Sequence, residues 1–307
     1  MAPGDVRLPV IAIFGPTASG KSAVAEALAR LVPAEIVSAD AMQVYDGLPI
    51  LTNQPEVPTR LVAVWPLSHE ASVGEYARLA HAAIDEILAA GRTPVVVGGT
   101  GLYLRAALAD LDLPPPPPPG ARERLERLYD ERGAEHAHAV LVRADPAAAA
   151  AVHPNDRRRV IRALELAQAG SSLRPAHDRL WAGETRHPTL VVGLDAPREL
   201  LEGRIRERTR AMFQRGVEDE VRRALARPLS STARHVIGLR EIAELPREEA
   251  AAAIVRRTLR YASYQRKWLR RIPGVVSVGA DRPAKEIARE VLEVARARQR
   301  LPAPRAG

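Results

Sequence analysis

Short apolar runs alternate with helical patterns in the first 113 residues. The apolar runs are nearly continuous, which is typical of parallel strands covered on both faces. They span residues 10–15, 35–40 and 93–98, with a weaker candidate at 60–64. Between them, apolar residues recur at helical spacing at 22–31 and 74–90. The alternation predicts an α/β fold whose parallel sheet is flanked by helices.

The middle of the chain breaks this alternation. Six prolines at residues 114–119 precede Gly120. They predict a stiff extended spacer, because proline fits neither a helix interior nor a central strand. Helical patterns then fill residues 121–169, and an apolar run at 189–195 returns to the strand type of the first part.

We therefore expect two domains. Residues 1–113 and 188–307 form the α/β core, and residues 114–187 form an inserted all-helical domain. The spacing of apolar residues predicts further helices in the core at 197–215, 217–226, 237–244, 247–271 and 283–300.

Composition narrows the class of protein. The 307-residue chain is 46% hydrophobic and contains no cysteine, which excludes disulfides and thiolate metal sites. The sequence has neither an apolar run long enough to cross a bilayer nor a signal-peptide pattern. We expect a cytoplasmic protein, monomeric and not associated with membranes.

Charge is distributed unevenly along the chain. Residues 1–113 carry 7 Lys/Arg and 12 Asp/Glu, a net charge of −5. Since the whole chain has a net charge of +8, residues 114–307 carry +13. A basic remainder favours a polyanionic partner, and solvated Arg–Glu pairs on helices are the alternative. The chain has only three lysines, and one of them, Lys21, lies in the sequence GPTASGKS.

That sequence, residues 15–22, fits the phosphate-loop pattern G-x-x-x-x-G-K-[ST] and lies between a predicted strand and a predicted helix. Its glycines let backbone N–H groups approach an anion, the lysine adds a positive charge, and the final serine offers a hydroxyl to Mg²⁺. We expect an α/β, P-loop NTPase-like core whose phosphate site comprises Gly15, Pro16, Thr17, Ala18, Ser19, Gly20, Lys21 and Ser22.

Asp40 is the nearest candidate carboxylate. It follows the second predicted strand, and ligands of open parallel sheets bind beyond the carboxyl ends of the strands. The strand at 93–98 ends in Gly-Gly-Thr-Gly and not in the aspartate typical of nucleotide hydrolases. Asp40 is either a general base, a carboxylate beside a metal, or a turn residue.

Seven segments together resemble bacterial tRNA dimethylallyltransferases, which prenylate adenosine 37 next to the anticodon. The resemblance extends from about residue 10 to 295. The segments are GPTASGKS (15–22), SADAMQVYDGL (38–48), VVVGGTGLYLRAAL (95–108), HPNDRRRVIRALEL (153–166), RIRERTRAMFQRGVEDEV (204–221), VIGLREI (236–242) and RYASYQRKWLR (260–270).

The resemblance implies a use of the phosphate loop that consumes no ATP. The loop, with Mg²⁺ at Ser22, would hold the diphosphate of dimethylallyl diphosphate, and the adenine N6 would attack the allylic carbon. The implied catalytic residues are Asp40, Lys21 and Arg208, although Arg208 could also be a solvated helix arginine. The implied tRNA contacts, to the anticodon stem-loop, are Asp40, Ala41, Met42, Gln43, Thr100, Arg122, Arg158, Arg159, Val160, Ile161 and Arg162.

Some details depart from the family pattern or stay open. Ala41 replaces the usual serine, and Gln54 stands at a lysine position within the altered segment 49–55. Asn155 or Asp156 is expected to cap a helix that starts with three arginines. The aromatic residues Tyr261, Tyr264 and Trp268 are expected in the core.

Three other functions remain open at this point. The phosphate loop and the arginine-rich helix also fit a P-loop kinase of a small metabolite. An isopentenyltransferase acting on free adenine nucleotide would share the chemistry but need less basic surface. A non-catalytic RNA-binding protein with a decayed loop is disfavoured, because Lys21, Ser22 and Asp40 are all present.

Overall fold

A computed structural model of the chain describes residues 10–111, 113, 120–173, 180 and 183–300. The chain divides into two compact units, one ending at Asp110 and resuming at Gly183, the other spanning Leu111–Ala182. The predicted proline spacer, residues 114–119, lies outside the described residues.

Six parallel strands form one sheet in the first unit, in the order β3-β2-β4-β1-β5-β6. Strand β1 lies inside the sheet, with every residue buried. The strands are β1 (Val10–Phe14), β2 (Ala34–Ser38), β3 (Thr59–Arg60), β4 (Thr93–Gly98), β5 (Thr189–Asp195) and β6 (Val276–Gly279).

Helices flank the sheet and form the second unit. They are α1 (Lys21–Leu31), α2 (Val73–Ala89), α3 (Gly101–Leu108), α4 (Ala121–Arg132), α5 (Ala134–Ala144), α6 (Pro146–Ala149), α7 (Arg157–Gln168), α8 (Arg198–Gln214), α9 (Val217–Leu225), α10 (Leu239–Glu244), α11 (Arg247–Leu269) and α12 (Ala284–Arg300). Each helix, over its described residues, is too short or too polar to cross a bilayer.

A large core cluster lies between the sheet and helices α1 and α12. Ile11 and Ile13 of β1 are fully buried there against Leu28 of α1 and Val291 of α12. Other rings are buried outside this cluster: Tyr76 of α2 packs on Tyr103 of α3 with ring centroids 4.3 Å apart. Helix cover next to buried strands explains why the strand sequences read as continuous apolar runs.

The second unit is a small helical bundle with its own core. Leu141 of α5 and Val160 of α7 are both fully buried in it. Asp156 caps α7 by accepting a hydrogen bond from the Arg159 N–H at 3.1 Å, which confirms one of the two predicted caps.

Three local predictions were wrong or incomplete. Helix α3 was not predicted because its sequence opens with glycine, a poor helix former. Strand β6 was missed because its four residues give too short a pattern to recognise. The strand expected at 60–64 is only the two-residue β3, and Leu61 and Ala63 have left-handed backbone angles, which no strand accepts.

The second unit ends earlier than residue 187, the boundary expected from the sequence. Residues from Gly183 onward belong to the first unit. Arg186 donates its backbone N–H to the Leu108 carbonyl at 2.8 Å, and the side chains of Arg186 and His187 both bind Asp85 of α2. These contacts hold the returning chain on the sheet-bearing unit.

A buried carboxylate anchors the altered segment that follows Asp40. Glu220 of α9 is 2% exposed and accepts hydrogen bonds from the backbone N–H groups of Ile50 and Leu51 at 2.8 and 2.7 Å. Charge-assisted bonds of this kind are stronger than neutral ones. A carboxylate that the sequence-based predictions did not include therefore fixes the loop.

We predict that Glu220→Ala lowers the free energy of unfolding by about 2–4 kcal/mol, because two buried N–H groups lose their acceptor. Chemical denaturation measures the change. The matched control is Glu218→Ala on the same helix, where an exposed ion pair with Arg247 is lost, which costs about 0–1 kcal/mol. Equal losses in the two variants would contradict the anchoring role of Glu220.

Candidate active site

The phosphate loop turns directly from β1 into α1. Ala18 and Gly20 both have positive φ angles, 64° and 91°, which fold successive N–H groups towards a common point. A Cβ at Gly15 would lie 2.5 Å from the Leu194 carbonyl oxygen, so only glycine allows the loop to leave the sheet here. The predicted context of strand, loop and helix is confirmed.

The loop amides divide into two groups. Thr17 N–H donates to Gln265 Oε1 at 2.7 Å, and Ser19 N–H donates to the Pro16 carbonyl at 3.2 Å. In the part of the chain that the structure describes, no protein acceptor takes a bond from the remaining loop amides. These are Ala18, Gly20, Lys21 and Ser22. Free amides at a helix N-terminus are the donors that bind a phosphate group.

Lys21 folds back over the loop. Its Nζ donates to the Pro16 carbonyl at 2.8 Å. Burial lowers the pKa of Lys21 to about 8, with the negative charge of Asp40 opposing this shift and the positive charge of Arg208 adding to it. The lysine is therefore a cation that lacks a full counter-charge, and an anion in the loop would supply one.

Two arginines of α8 reach the loop from the other side. Arg208 NH1 donates to Thr17 Oγ1 at 3.0 Å, and Arg204 NH1 donates to the Ala18 carbonyl at 3.3 Å. Burial lowers the pKa of Arg208, and the charge of Asp40 opposes that change. Arg204 was not among the predicted site residues. Its spacing of four from Arg208, on one face of the helix, is the signal that could have identified it.

Asp40 forms a tight turn just after β2. Its carboxylate accepts the Met42 N–H at 2.9 Å, and the Ala41 N–H donates to Thr100 Oγ1 at 3.2 Å. Gly98 permits this arrangement, because a Cβ there would clash with the backbone of Ala39. The structure thus places the predicted residues Asp40, Ala41 and Thr100 in one connected group.

Gln43 is fully engaged within the protein. Its Oε1 accepts from Ser38 Oγ at 2.9 Å, and its Nε2 donates to the Asn53 carbonyl at 2.8 Å. Gln54 Nε2 in turn donates to the Tyr45 carbonyl at 2.8 Å. These two amides organise the altered segment, and the predicted contact of Gln43 with tRNA stays a prediction.

Helix α11 packs its end against the glycine-rich turn after β4. A Cβ at Gly99 would clash with Gln265, and one at Gly101 would clash with Trp268. The Tyr261 hydroxyl lies 3.4 Å from Thr100 Oγ1. Tyr264 is 55% exposed, so the expectation that it belongs to the core was wrong. The error arises because Tyr264 lies off the face that packs on the turn.

Comparison with known proteins agrees with this arrangement. The IPP transferase family model matches residues 43–272, and a model described as isopentenyl transferase matches residues 8–58. A tRNA dimethylallyltransferase of Thermobifida fusca (strain YX) is 43% identical, covering 89% of this chain and 91% of the relative. The chain belongs to the IPP transferase family. The predicted resemblance is confirmed.

Other members of the family have similar lengths and folds. A tRNA dimethylallyltransferase of Anaeromyxobacter sp. (strain K) is 42% identical, covering 94% of this chain and 98% of its own. The crystal structure of a tRNA isopentenylpyrophosphate transferase from Bacillus halodurans has a TM-score of 0.66 at 31% identity, covering 94% of this chain and 97% of that one. A eukaryotic dimethylallyltransferase acting on tRNA has a TM-score of 0.77 at 25% identity, covering 97% and 82%.

The predicted tRNA contacts of the second unit fall into three groups. Arg122 and Arg162 both form ion pairs with the buried Glu165, each at 3.0 Å. Val160 and Ile161 are buried in the core of this unit, so their side chains give tRNA no exposed surface, and the predicted contact of these two residues stays a prediction.

Only the third group is exposed and unpaired. Arg158 and Arg159 are exposed and have no ion pair among the described residues, whereas the adjacent Arg157 binds Asp130 at 2.7 Å. An unpaired guanidinium in solvent is the group that a nucleic-acid phosphate recruits. Of the predicted arginines in this unit, these two are the ones available to an external anion.

We predict that the affinity for a non-hydrolysable dimethylallyl diphosphate analogue falls more steeply above pH 8 in the wild type than in Lys21→Arg. The free protein loses the Lys21 proton near pH 8, so binding at higher pH must be accompanied by uptake of a proton. The affinity then falls by at most about tenfold for each further pH unit. Arginine stays charged throughout this range. Isothermal titration from pH 7 to 9.5 measures both slopes, and parallel slopes would contradict the assignment.

Proposed function

We propose that this protein transfers the dimethylallyl group of dimethylallyl diphosphate to N6 of adenosine 37 in tRNA, releasing diphosphate. A single observation carries this proposal: cations at the phosphate loop, the site that would bind the diphosphate (the diphosphate seat), also interact with a nearby carboxylate. The charge of Asp40 acts on both Lys21 and Arg208, two of the cations that contact the phosphate loop.

The diphosphate end of the reaction needs donors for a developing negative charge. The loop offers backbone amides that lack a protein acceptor among the described residues, the Lys21 ammonium lies against the Pro16 carbonyl of the same loop, and Arg208 binds Thr17. Preorganised donors of this kind stabilise the leaving group in the transition state and cost little reorganisation. The allylic C1–O bond breaks, and its electron pair leaves with the diphosphate.

The acceptor end needs a group that takes one proton. As N6 of the adenine forms its bond to C1, its hydrogen becomes acidic, and Asp40 is the carboxylate placed to accept it. The Met42 N–H holds one carboxylate oxygen of Asp40. The other oxygen has no partner among the described hydrogen bonds and remains available to N6.

The residues present fit a Mg²⁺ ion that is held mainly by substrate. Ser22 is exposed at the start of α1, and the described residues contain no group of three or more His, Asp or Glu that could bind a metal on their own. Magnesium commonly keeps several waters and binds through substrate phosphates with one or two protein ligands. When bound, it would neutralise charge on the diphosphate, with the Ser22 hydroxyl as its protein ligand.

The substrate nucleotide must be unstacked to reach Asp40. A single-stranded anticodon loop makes this step inexpensive compared with opening a duplex. The net +13 of residues 114–307, with Arg158 and Arg159 unpaired on α7, supports an RNA partner over a small metabolite. The kinase and the transferase acting on free adenine nucleotide would not need this surface.

The proposal is tested by incubating the protein with labelled dimethylallyl diphosphate, Mg²⁺ and tRNA that lacks the modification. We expect the label in tRNA at adenosine 37 and none in AMP supplied separately. Label in AMP alone would identify the adenine-nucleotide transferase. Turnover of ATP without prenyl transfer would identify the kinase.

We predict that Asp40→Asn lowers the single-turnover rate by about 10²–10⁴-fold, the usual contribution of a general base. The change keeps the acceptor for the Met42 N–H, so the dissociation constant for tRNA should stay within about twofold. Rapid-quench assays and filter binding measure the two quantities. A rate close to that of the wild type would remove Asp40 from its proposed role.

We predict that the double substitution Arg158→Ala, Arg159→Ala weakens tRNA binding and lowers the slope of log K against log salt by about 1–2, because up to two phosphate contacts are lost. The charge-matched control removes Arg289 and Arg296, two exposed arginines of α12. An equal effect of both double variants would show that only net charge matters.

A further inference from the structure

Gln265 is a buried side chain that the proposed chemistry does not use. It lies near the end of α11 and is 2% exposed. Its Oε1 accepts the Thr17 N–H at 2.7 Å, and its Nε2 donates to the Gly99 carbonyl at 2.9 Å. One amide group thus joins two loops that are more than eighty residues apart in sequence.

Each of these loops carries one half of the site. Thr17 belongs to the phosphate loop and binds Arg208 through its hydroxyl. Gly99 precedes Thr100, which holds the Ala41 N–H beside Asp40. Gln265 is therefore the direct connection between the seat of the leaving group and the turn that presents the base.

An amide of this length satisfies both loops at once without having to bind a proton. A carboxylate can accept from Thr17 but repels the Gly99 carbonyl, and an apolar side chain leaves both buried groups unpaired. The contact also explains Gly99, because any Cβ there would clash with Gln265.

We propose that Gln265 is a positioning residue that sets the distance between the diphosphate seat and Asp40. This inference rests on the proposed prenyl transfer. In-line attack requires the reacting atoms to be held closely, and a misplacement of about 1 Å can cost about 10²-fold in rate. Both polar atoms of the Gln265 amide bind protein backbone groups, so its effect is exerted through the two loops.

The test compares Gln265→Met and Gln265→Glu with the wild type in single turnovers at saturating dimethylallyl diphosphate and tRNA. We expect the methionine variant to react about 10–100-fold more slowly, with tRNA affinity changed by less than about twofold. The glutamate variant should react faster than the methionine variant, because it keeps the acceptor for Thr17.

The pH profile separates positioning from a loss of stability. Burial favours the neutral form of the introduced carboxyl, which can both accept and donate as the amide does. The rate of the glutamate variant relative to the wild type should therefore be higher at pH 6 than at pH 8.5. Tyr261, which also hydrogen-bonds to Gln265, stays protonated over this range because burial raises its pKa, and Arg208, bound to Thr17, stays charged. Lys21, whose pKa burial lowers to about 8, titrates within the range in the wild type as well, so the ratio of the two rates is the quantity compared.

Ser263→Ala on the same helix is the matched control, since within the described part of the chain its hydroxyl bonds to the Leu259 carbonyl alone. A methionine variant that reacts within twofold of the wild type would overturn the proposal, as would a glutamate variant whose relative rate is the same at both pH values. A wild type that transfers no prenyl group to tRNA would instead overturn the proposed function.

Discussion

The site depends on one ammonium group, that of Lys21, and on four backbone amides of the phosphate loop that have no protein anion as a partner among the described residues. The loop achieves this through left-handed angles at Ala18 and Gly20, which turn N–H groups away from the helix they precede. Burial destabilises the charge on Lys21, and a bound diphosphate would stabilise it. Strand β1, buried along its whole length, provides the rigid base that this arrangement needs.

Close packing around three glycines positions the rest of the site. Three glycines each have a different neighbour in the space that a side chain would occupy. The neighbour is the Ala39 backbone at Gly98, Gln265 at Gly99 and Trp268 at Gly101. The three contacts set the positions of the turn at Asp40 and of helix α11. A stretch that looks like a flexible loop in composition is therefore one of the most tightly constrained parts of the first unit.

Much of this was predictable from the sequence, for a physical reason. The ends of β4 and β5 match the predicted ranges because buried parallel strands have long apolar runs bounded by polar residues. The phosphate loop was predictable because its chemistry needs particular residues at fixed spacing. Gln265 and Glu220 were not predicted, because each acts on the backbone of a distant segment and local sequence carries no record of such a contact. Arg204 also binds the backbone of a distant segment, and its spacing from Arg208 is the one local signal that pointed to it.

The loop after Asp40 shows how recognition of the main chain frees a sequence to change. Gln43, Gln54 and Glu220 all bind carbonyl or N–H groups of residues 43–53, and these atoms are the same whatever side chain is attached. Side chains in this loop can therefore change without loss of the contacts that hold its backbone. Substitutions in residues 49–53 should consequently disturb the fold less than substitutions of the three anchoring side chains.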